Sequence, residues 1–97
     1  MPSAYVIAHV QVTNPAQYDA YRALSSLAMQ AHDDAEVCVR GGAVEVLEGD
    51  WQPERVVVLR FASVEKARAF YASAEYSRAS EASEGVAVMR MIVVEGV

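Results

Sequence analysis

The residues of this 97-residue chain that are best suited to chemistry are Arg40 and His9. Arg40 precedes two glycines, and a planar guanidinium beside so slim a backbone can meet a carboxylate through two parallel hydrogen bonds. The His9 imidazole can take up and release a proton near neutral pH, although a lone strand histidine can equally be a structural residue. We therefore expect Arg40 to bind a small organic anion, and we treat His9 as the candidate catalytic residue.

A tryptophan and four charged residues follow Arg40 in a turn-rich segment, Leu47-Glu48-Gly49-Asp50-Trp51-Gln52-Pro53-Glu54-Arg55. A tryptophan is unusual in a loop that faces only water, and so many charged residues are unusual in a plain hairpin. The segment is typical of the rim of a site or of an interface. We expect Trp51, Glu48 and Arg55 to lie there.

Other kinds of chemistry find little support in the pattern. Two distant histidines and the Asp33-Asp34 pair lack the ligand spacing of a zinc site. Ser63 and Ser73 are suited to capping helices, and no Ser-His-acid arrangement can be argued. No helix pattern follows Gly41-Gly42, as a phosphate-binding loop would require. We expect neither a metal nor a cofactor.

Length and composition limit the classes of protein further. The chain is long enough for one domain, residues 1–97. A net charge of −5 argues against a nucleic-acid partner, because phosphate neutralisation needs clustered Lys and Arg. The one cysteine, Cys38, permits no internal disulfide. No stretch approaches the ~20 apolar residues of a membrane span, and no signal-peptide pattern is present, so we expect a cytoplasmic protein that does not bind membranes.

Hydrophobic periodicity predicts the elements that position these residues. Alternation indicates strands, and a period near 3.6 that follows a capping residue such as Asn14 indicates a helix. The predicted elements are a strand over 4–12, a helix over 15–31, strands over 35–40, 43–48 and 56–61, a helix from 64 to 83 that can break at Ser73, and a strand over 87–95. Gly41-Gly42 marks either a two-residue hairpin or a bulge in one long strand, and the bulge is slightly favoured.

With the bulge, the segments 35–40 and 43–48 count as one strand, and the order is β-α-β-β-α-β. In so short a chain this order predicts an α+β fold, a ferredoxin-like sandwich with two helices on one face of a four-stranded antiparallel sheet. The aliphatic face of strand 4–12 belongs under the helices, and strand 56–61 is expected to be central and buried on both faces. Guanidinium groups are costly to bury among aliphatic side chains. The residues expected on the uncovered face are Tyr5, Ile7, His9, Gln11, Arg40, Arg60 and Arg90.

Two interpretations of the uncovered face compete. Its polar residues are either merely solvated, or they line a cavity between two sheets packed face to face in a homodimer. The aliphatic residues on this face, such as Val58 and Ile92, favour the homodimer, since a sheet face in water rarely carries so many. A pocket with apolar walls and a few converging polar groups is a typical ligand site. The predicted ligand-binding residues are Arg40, Arg60, Tyr21, Tyr5 and Arg90.

Several segments carry a family resemblance: Arg40-Gly41-Gly42, Val44 to Trp51, Pro53-Glu54-Arg55, Phe61-Ala62-Ser63, Tyr71 to Tyr76 and Val93 to Val97. Together they closely resemble the family catalogued as domain of unknown function 1330, over essentially the whole chain. The resemblance implies a ferredoxin-like dimeric α/β barrel, in which two sheets pack as a homodimer. Asp34-Ala35, Arg60 and Ser83 depart from the family pattern, which suggests a rearranged set of charges.

The family has no general established reaction, so two hypotheses about function stand. In the first, the protein carries out cofactor-independent isomerisation, cyclisation or oxygenation of the bound anion, with His9 moving protons while Arg40 and Arg60 hold the ligand. In the second, it is a non-enzymatic binding or stress-related module, or an accessory subunit of a larger enzyme. A cavity filled by the protein's own side chains would favour the second.

Overall fold

The chain folds into elements close to those that the periodicity predicts. In this computed structural model, residues 2–32 and 35–97 are described, and the Asp33-Asp34 pair lies outside them. The elements are β1 (Ala4–Val12), α1 (Pro15–Ala31), β2 (Glu36–Arg40), β3 (Arg55–Phe61), α2 (Val64–Tyr71), α3 (Ala74–Ser83) and β4 (Ala87–Glu95). The predicted break at Ser73 divides the second helical region into α2 and α3.

The four strands form one antiparallel sheet in the order β2-β3-β1-β4. β1 pairs with β3 on one side and with β4 on the other, and Ala4 lies opposite both Phe61 and Glu95. The helices pack against a single face of this sheet. The predicted ferredoxin-like α+β arrangement is confirmed.

The helix boundaries follow from local signals. The side chains of Asn14, Ser63 and Ser73 each accept a hydrogen bond from the backbone N–H three residues later, which satisfies a donor that every helix start leaves open. Gly85 follows α3 with a φ of 75°, a left-handed conformation that costs glycine nothing sterically. In the part of the chain described, no helix is long and apolar enough to cross a membrane.

The core lies between the helices and the covered face of the sheet. On β1 the alternate residues from Ala4 to Val10 are buried, as period-two alternation predicts. Phe70 of α2 occupies the centre of an aromatic cluster, with its ring centroid 5.3 Å from that of Phe61 and 5.1 Å from that of Tyr76. Ring pairs at this separation attract one another beyond their apolar burial. They hold α2 and α3 against the sheet.

β3 is a central strand, as predicted, but only one of its faces is buried. Leu59 and Phe61 on the helix side are buried, whereas Val56 and Val58 are half-buried and Arg60 is exposed. The prediction that this strand is buried on both faces is therefore wrong for the single chain. The reason is that the helices cover just one side of the sheet.

The segment 41–54, which joins β2 to β3, departs from the prediction. Residues 43–48 alternate as a strand does, but no strand forms there, because alternation cannot make a strand without a partner edge and the segment meets none in the described chain. Gly41 turns the chain instead, with a φ of 70°. Neither the hairpin nor the bulge predicted at Gly41-Gly42 is present.

A register shift in β2 lies at Cys38, ahead of the glycines. Before the shift, Glu36 lies opposite Arg60 on the uncovered face; after it, Arg40 lies opposite Val57 on the helix side. One extra residue in a strand reverses the facing of the residues that follow it. The prediction that Arg40 shares the uncovered face with Arg60 is therefore wrong.

Candidate functional site

A cavity of about 50 Å³ lies between α1 and the sheet, and we call it the α1 cavity. Its walls are formed by aliphatic residues of β1 and β3, by Met29 of α1 and by Met91 of β4. The residues that bring polar groups to it are Tyr18, Tyr21, Arg22, Ser25, Arg40, Arg55 and Tyr76. A space of this size holds a few water-sized groups, which is enough for a carboxylate and the carbon that bears it.

Two buried tyrosines meet inside the α1 cavity. The hydroxyl oxygens of Tyr21, from α1, and Tyr76, from α3, lie 3.1 Å apart in a hydrogen bond. Burial raises the pKa of Tyr21 far above its ordinary value, and the neighbouring Tyr76 raises it further. Burial also raises the pKa of Tyr76. Both phenols therefore stay protonated. One hydroxyl donates to the other, so the pair has one O–H left to donate to a bound ligand.

Arg55 reaches the same cavity from the start of β3. It lies opposite Val10, so its side chain leaves the sheet on the helix side, and its guanidinium carbon lies 5.9 Å from the centroid of the Tyr18 ring. The guanidinium also occupies the space where a side chain at Gly41 would project, since a Cβ there would collide with it. The Arg55 Nε is buried without a hydrogen-bond partner, although such donors are rarely left unpaired.

Two further arginines stand at the cavity. Arg40 donates a hydrogen bond through Nη2 to the Ser26 hydroxyl of α1. On the outer side of the same helix, the Nη1 of Arg22 lies 3.7 Å from the Oδ1 of Asp19. Within the described ranges, neither Arg40 nor Arg55 forms an ion pair with a carboxylate. Clustered positive charge beside an apolar wall attracts anions. The cavity is therefore suited to a negatively charged group.

The uncovered face holds a second set of predicted residues. His9 lies opposite Val56 and Arg90, and the Trp51 ring meets the His9 ring edge-on at a centroid distance of 5.8 Å. The His9 Nε2 is buried without a hydrogen-bond partner. Trp51 thus folds the segment 41–54 back over the uncovered face, next to the one strand histidine.

Arg60 has polar partners on that face. Its Nη1 lies 3.3 Å from a carboxylate oxygen of Glu36, and its Nε donates to the Ser3 hydroxyl at 3.2 Å. Tyr5 lies beside it, opposite Arg60 in the β1–β3 register. Because the Arg60 guanidinium is already paired with the Glu36 carboxylate, it is less available to bind an anionic ligand than the guanidinium of Arg55.

The structure thus divides the predicted site residues into two groups. Arg40 and Tyr21 lie in the α1 cavity, while Tyr5, His9, Arg60 and Arg90 lie on the opposite side of the sheet. Of the predicted rim residues, Trp51 and Glu48 are exposed in the segment 41–54, and Arg55 lines the cavity instead. No single site in one chain contains all of them.

Sequence reasoning missed four polar cavity residues, Tyr18, Arg22, Ser25 and Tyr76, and it predicted Arg55 only at a rim. Side chains alternate between the two faces of a strand, so Arg55 lies on the same face as Val57 and Leu59. This alternation was the sign in the sequence that Arg55 points under the helices. Tyr76 follows the helix cap Ser73 by three residues and faces the core from there. Its pairing with Tyr21 joins residues 55 positions apart and has no local signature.

The sheet order and the one-sided helices define a ferredoxin-like α+β protein with a cation-rich cavity beneath its first helix. Residues 3–97 match the model of the family described as Domain of unknown function (DUF1330), and the chain belongs to that family. No curated protein matches the chain.

Solved structures share the fold at low sequence identity. A protein of unknown function from Rhodopseudomonas palustris, RPA0582, is 16% identical with a TM-score of 0.77, over 99% of this chain and 83% of that one. SnoaB, a cofactor-independent oxygenase from Streptomyces nogalater, is 10% identical with a TM-score of 0.68, over 97% and 92%. A dimeric protein of unknown function and ferredoxin-like fold from Bacteroides fragilis is 10% identical with a TM-score of 0.61, over 96% and 95%.

Proposed function

We propose that this protein binds a small organic anion in the α1 cavity and that the bound anion undergoes cofactor-independent chemistry there. The observation that carries the proposal is the Arg55 guanidinium, whose buried Nε has no hydrogen-bond partner and which lines the same cavity as the two neutral phenols. A buried donor without a partner costs free energy that a ligand oxygen would recover. We still propose an anion site, as the sequence led us to expect, but we place it in the α1 cavity and not on the uncovered face.

The cavity residues have different roles in binding the anion. Arg40 and Arg55 supply the positive charge, and the Tyr21–Tyr76 pair donates the one O–H that its mutual hydrogen bond leaves free. Among the described residues that line the cavity, none carries a carboxylate or an imidazole. A substrate must therefore ionise readily by itself, and fixed donors stabilise the resulting enolate or phenolate. Such an anion can isomerise, cyclise or give an electron to oxygen, and the fold shared with SnoaB supports the oxygenase form.

The alternative function is binding without turnover. The absence of a proton-transfer group from the described cavity lining favours it, because the cavity then has the parts for holding an anion and lacks those for moving a proton. His9 lies on the far side of the sheet and would need a separate site between two chains to act.

The proposal is tested by titrating the protein with propionate and with its neutral analogue propionamide while recording ¹H–¹⁵N NMR spectra. Propionate is expected to shift the amide signals of Tyr21, Ser25 and Tyr76, and propionamide is not. Arg55→Gln should weaken propionate binding by at least about tenfold, since a hydrogen bond to a charged group contributes about 1.5–3 kcal/mol. Arg78→Gln, an exposed site on α3, is the matched control. Equal binding of propionate and propionamide would contradict the proposal.

We also propose that two copies assemble with their uncovered sheet faces together. Ile92, Val88 and Val94 of β4 are exposed on this face in the single chain. The unpaired segment 43–48 also exposes aliphatic side chains, including Leu47, which is 93% exposed. An apolar surface of this extent usually marks an interface. The similar fold of a dimeric protein supports a second copy as the partner.

A further inference from the structure

A second, larger cavity of about 370 Å³ lies between α2 and the edge strand β4, and we call it the α2 cavity. Ala67, Tyr71 and Val93 contribute to its walls, which are predominantly apolar, and Arg68 brings its one charge among the described lining residues. It is several times larger than the α1 cavity, and nothing in the function proposed so far uses it.

The two cavities share part of their lining. Val6, Phe70 and Met91 border both of them, so these three side chains form the partition. Val6 stands on the sheet, and the Phe70 ring is held by the rings of Phe61 and Tyr76. Neither can move without disturbing the core.

Met91 is the movable part of this partition. Its unbranched side chain has three rotatable bonds and adapts easily to a new neighbour. Its Sδ lies 4.0 Å from the Tyr76 hydroxyl, in a weak contact. Rotation of Met91 would join the two cavities and would also free the Tyr76 hydroxyl to donate to a ligand.

From this arrangement, and resting on the function proposed above, we propose that the ligand is an elongated amphipathic carboxylate. Its carboxylate binds to Arg55 and to the free O–H of the Tyr21–Tyr76 pair in the α1 cavity, and its apolar chain passes Met91 into the α2 cavity. The number of polar groups in each lining carries this assignment: three arginines and three tyrosines line the inner cavity, whereas the outer one has one of each, Arg68 and Tyr71, among apolar residues. A compact dianion would leave the outer cavity empty.

The test uses NMR titrations with acetate, butyrate, hexanoate and octanoate. Affinity should rise by about fourfold for each methylene that enters the α2 cavity, from the transfer free energy of a CH₂ group. Ala67→Leu fills the α2 cavity alone and should remove this gain while leaving the affinity for acetate unchanged. Ala69→Leu, the same change at an exposed position of α2, should keep the wild-type dependence on chain length.

The outcomes separate this inference from the function on which it rests. If acetate binds and longer acids bind no better, the elongated ligand is wrong and the anion site stands. If no carboxylate of any length binds, the proposed function itself fails. The inference would also be overturned if affinity still rose with the length of the acid in Ala67→Leu. If Ala67→Leu does not fold, Val93→Trp takes its place in this measurement.

Discussion

At the scale of single residues, the α1 cavity depends on which groups carry charge. Tyr21 and Tyr76 are neutral because burial disfavours their ionised forms, and Arg55 brings a guanidinium to the same cavity. The cavity therefore presents fixed positive charge together with neutral hydrogen-bond donors. This combination favours an anion over a neutral ligand and keeps doing so across the neutral pH range.

The raised pKa values of the two tyrosines predict how stability depends on pH. Below pH 10 the phenols are protonated in both the folded and the unfolded chain, so they add no pH dependence there. Above pH 10 the unfolded chain releases these protons and the folded chain retains them. The free energy of unfolding should then fall by about 1.4 kcal/mol per pH unit for each buried tyrosine.

Urea denaturation between pH 9 and 11 measures this effect. Tyr21→Phe should show a shallower loss of stability than the wild type, because one of the two retained protons is gone. Tyr71→Phe, at a position that is 56% exposed, should keep the wild-type slope and serves as the control. Parallel curves for Tyr21→Phe and the wild type would contradict the prediction.

At the scale of elements, the irregularity of β2 positions the site. The register shift at Cys38 turns Arg40 towards α1, where it bonds to Ser26. Gly41 then ends the strand in a left-handed conformation and leaves room for the Arg55 guanidinium. A regular strand of the same length would send Arg40 to the other face and would leave the cavity with less charge.

Gly41→Ala should therefore affect both stability and binding. The positive φ and the collision with Arg55 together predict a loss of about 1–3 kcal/mol in the free energy of unfolding. Displacement of Arg55 should also weaken propionate binding. Gly42→Ala, where a Cβ would meet nothing within 4 Å, should change the free energy of unfolding by less than about 0.5 kcal/mol. Urea denaturation compares the two, and equal stability of both variants would rule out the packing of Arg55 against Gly41.

At the scale of the whole molecule, one face of the sheet has no helix over it in the described chain. Trp51 brings the segment 41–54 to this face beside His9, and the strand-like part at 43–48 stays unpaired. A second copy would cover the aliphatic residues of β4 and would enclose His9 between two sheets. Any chemical role of His9 would therefore depend on the assembly of two chains.

Ile92→Asp should convert the proposed dimer to a monomer, because the interface would have to bury an unpaired carboxylate. Size-exclusion chromatography with light scattering measures the mass. Leu27→Asp on the outer side of α1 makes the same kind of change at a residue that is also 58% exposed, and it should leave the dimer intact. A wild-type protein that is monomeric in this measurement would overturn the homodimer.

The sequence by itself determined the local structure of this protein. The caps Asn14, Ser63 and Ser73 set where the helices begin, and alternation set the faces of β1 and β4, because both depend on residues a few positions apart. The element order was then enough to predict the ferredoxin-like fold.

Only the tertiary structure decided which predicted residues share a site. The shift at Cys38 and the pairing of Tyr21 with Tyr76 depend on contacts between distant segments, and neither leaves a periodic trace in the sequence. One extra residue in β2 moved Arg40 to the opposite face from Arg60, and for this reason we propose the anion site within one chain and not between two. The side on which a strand residue lies follows from register, which the pairing strand sets.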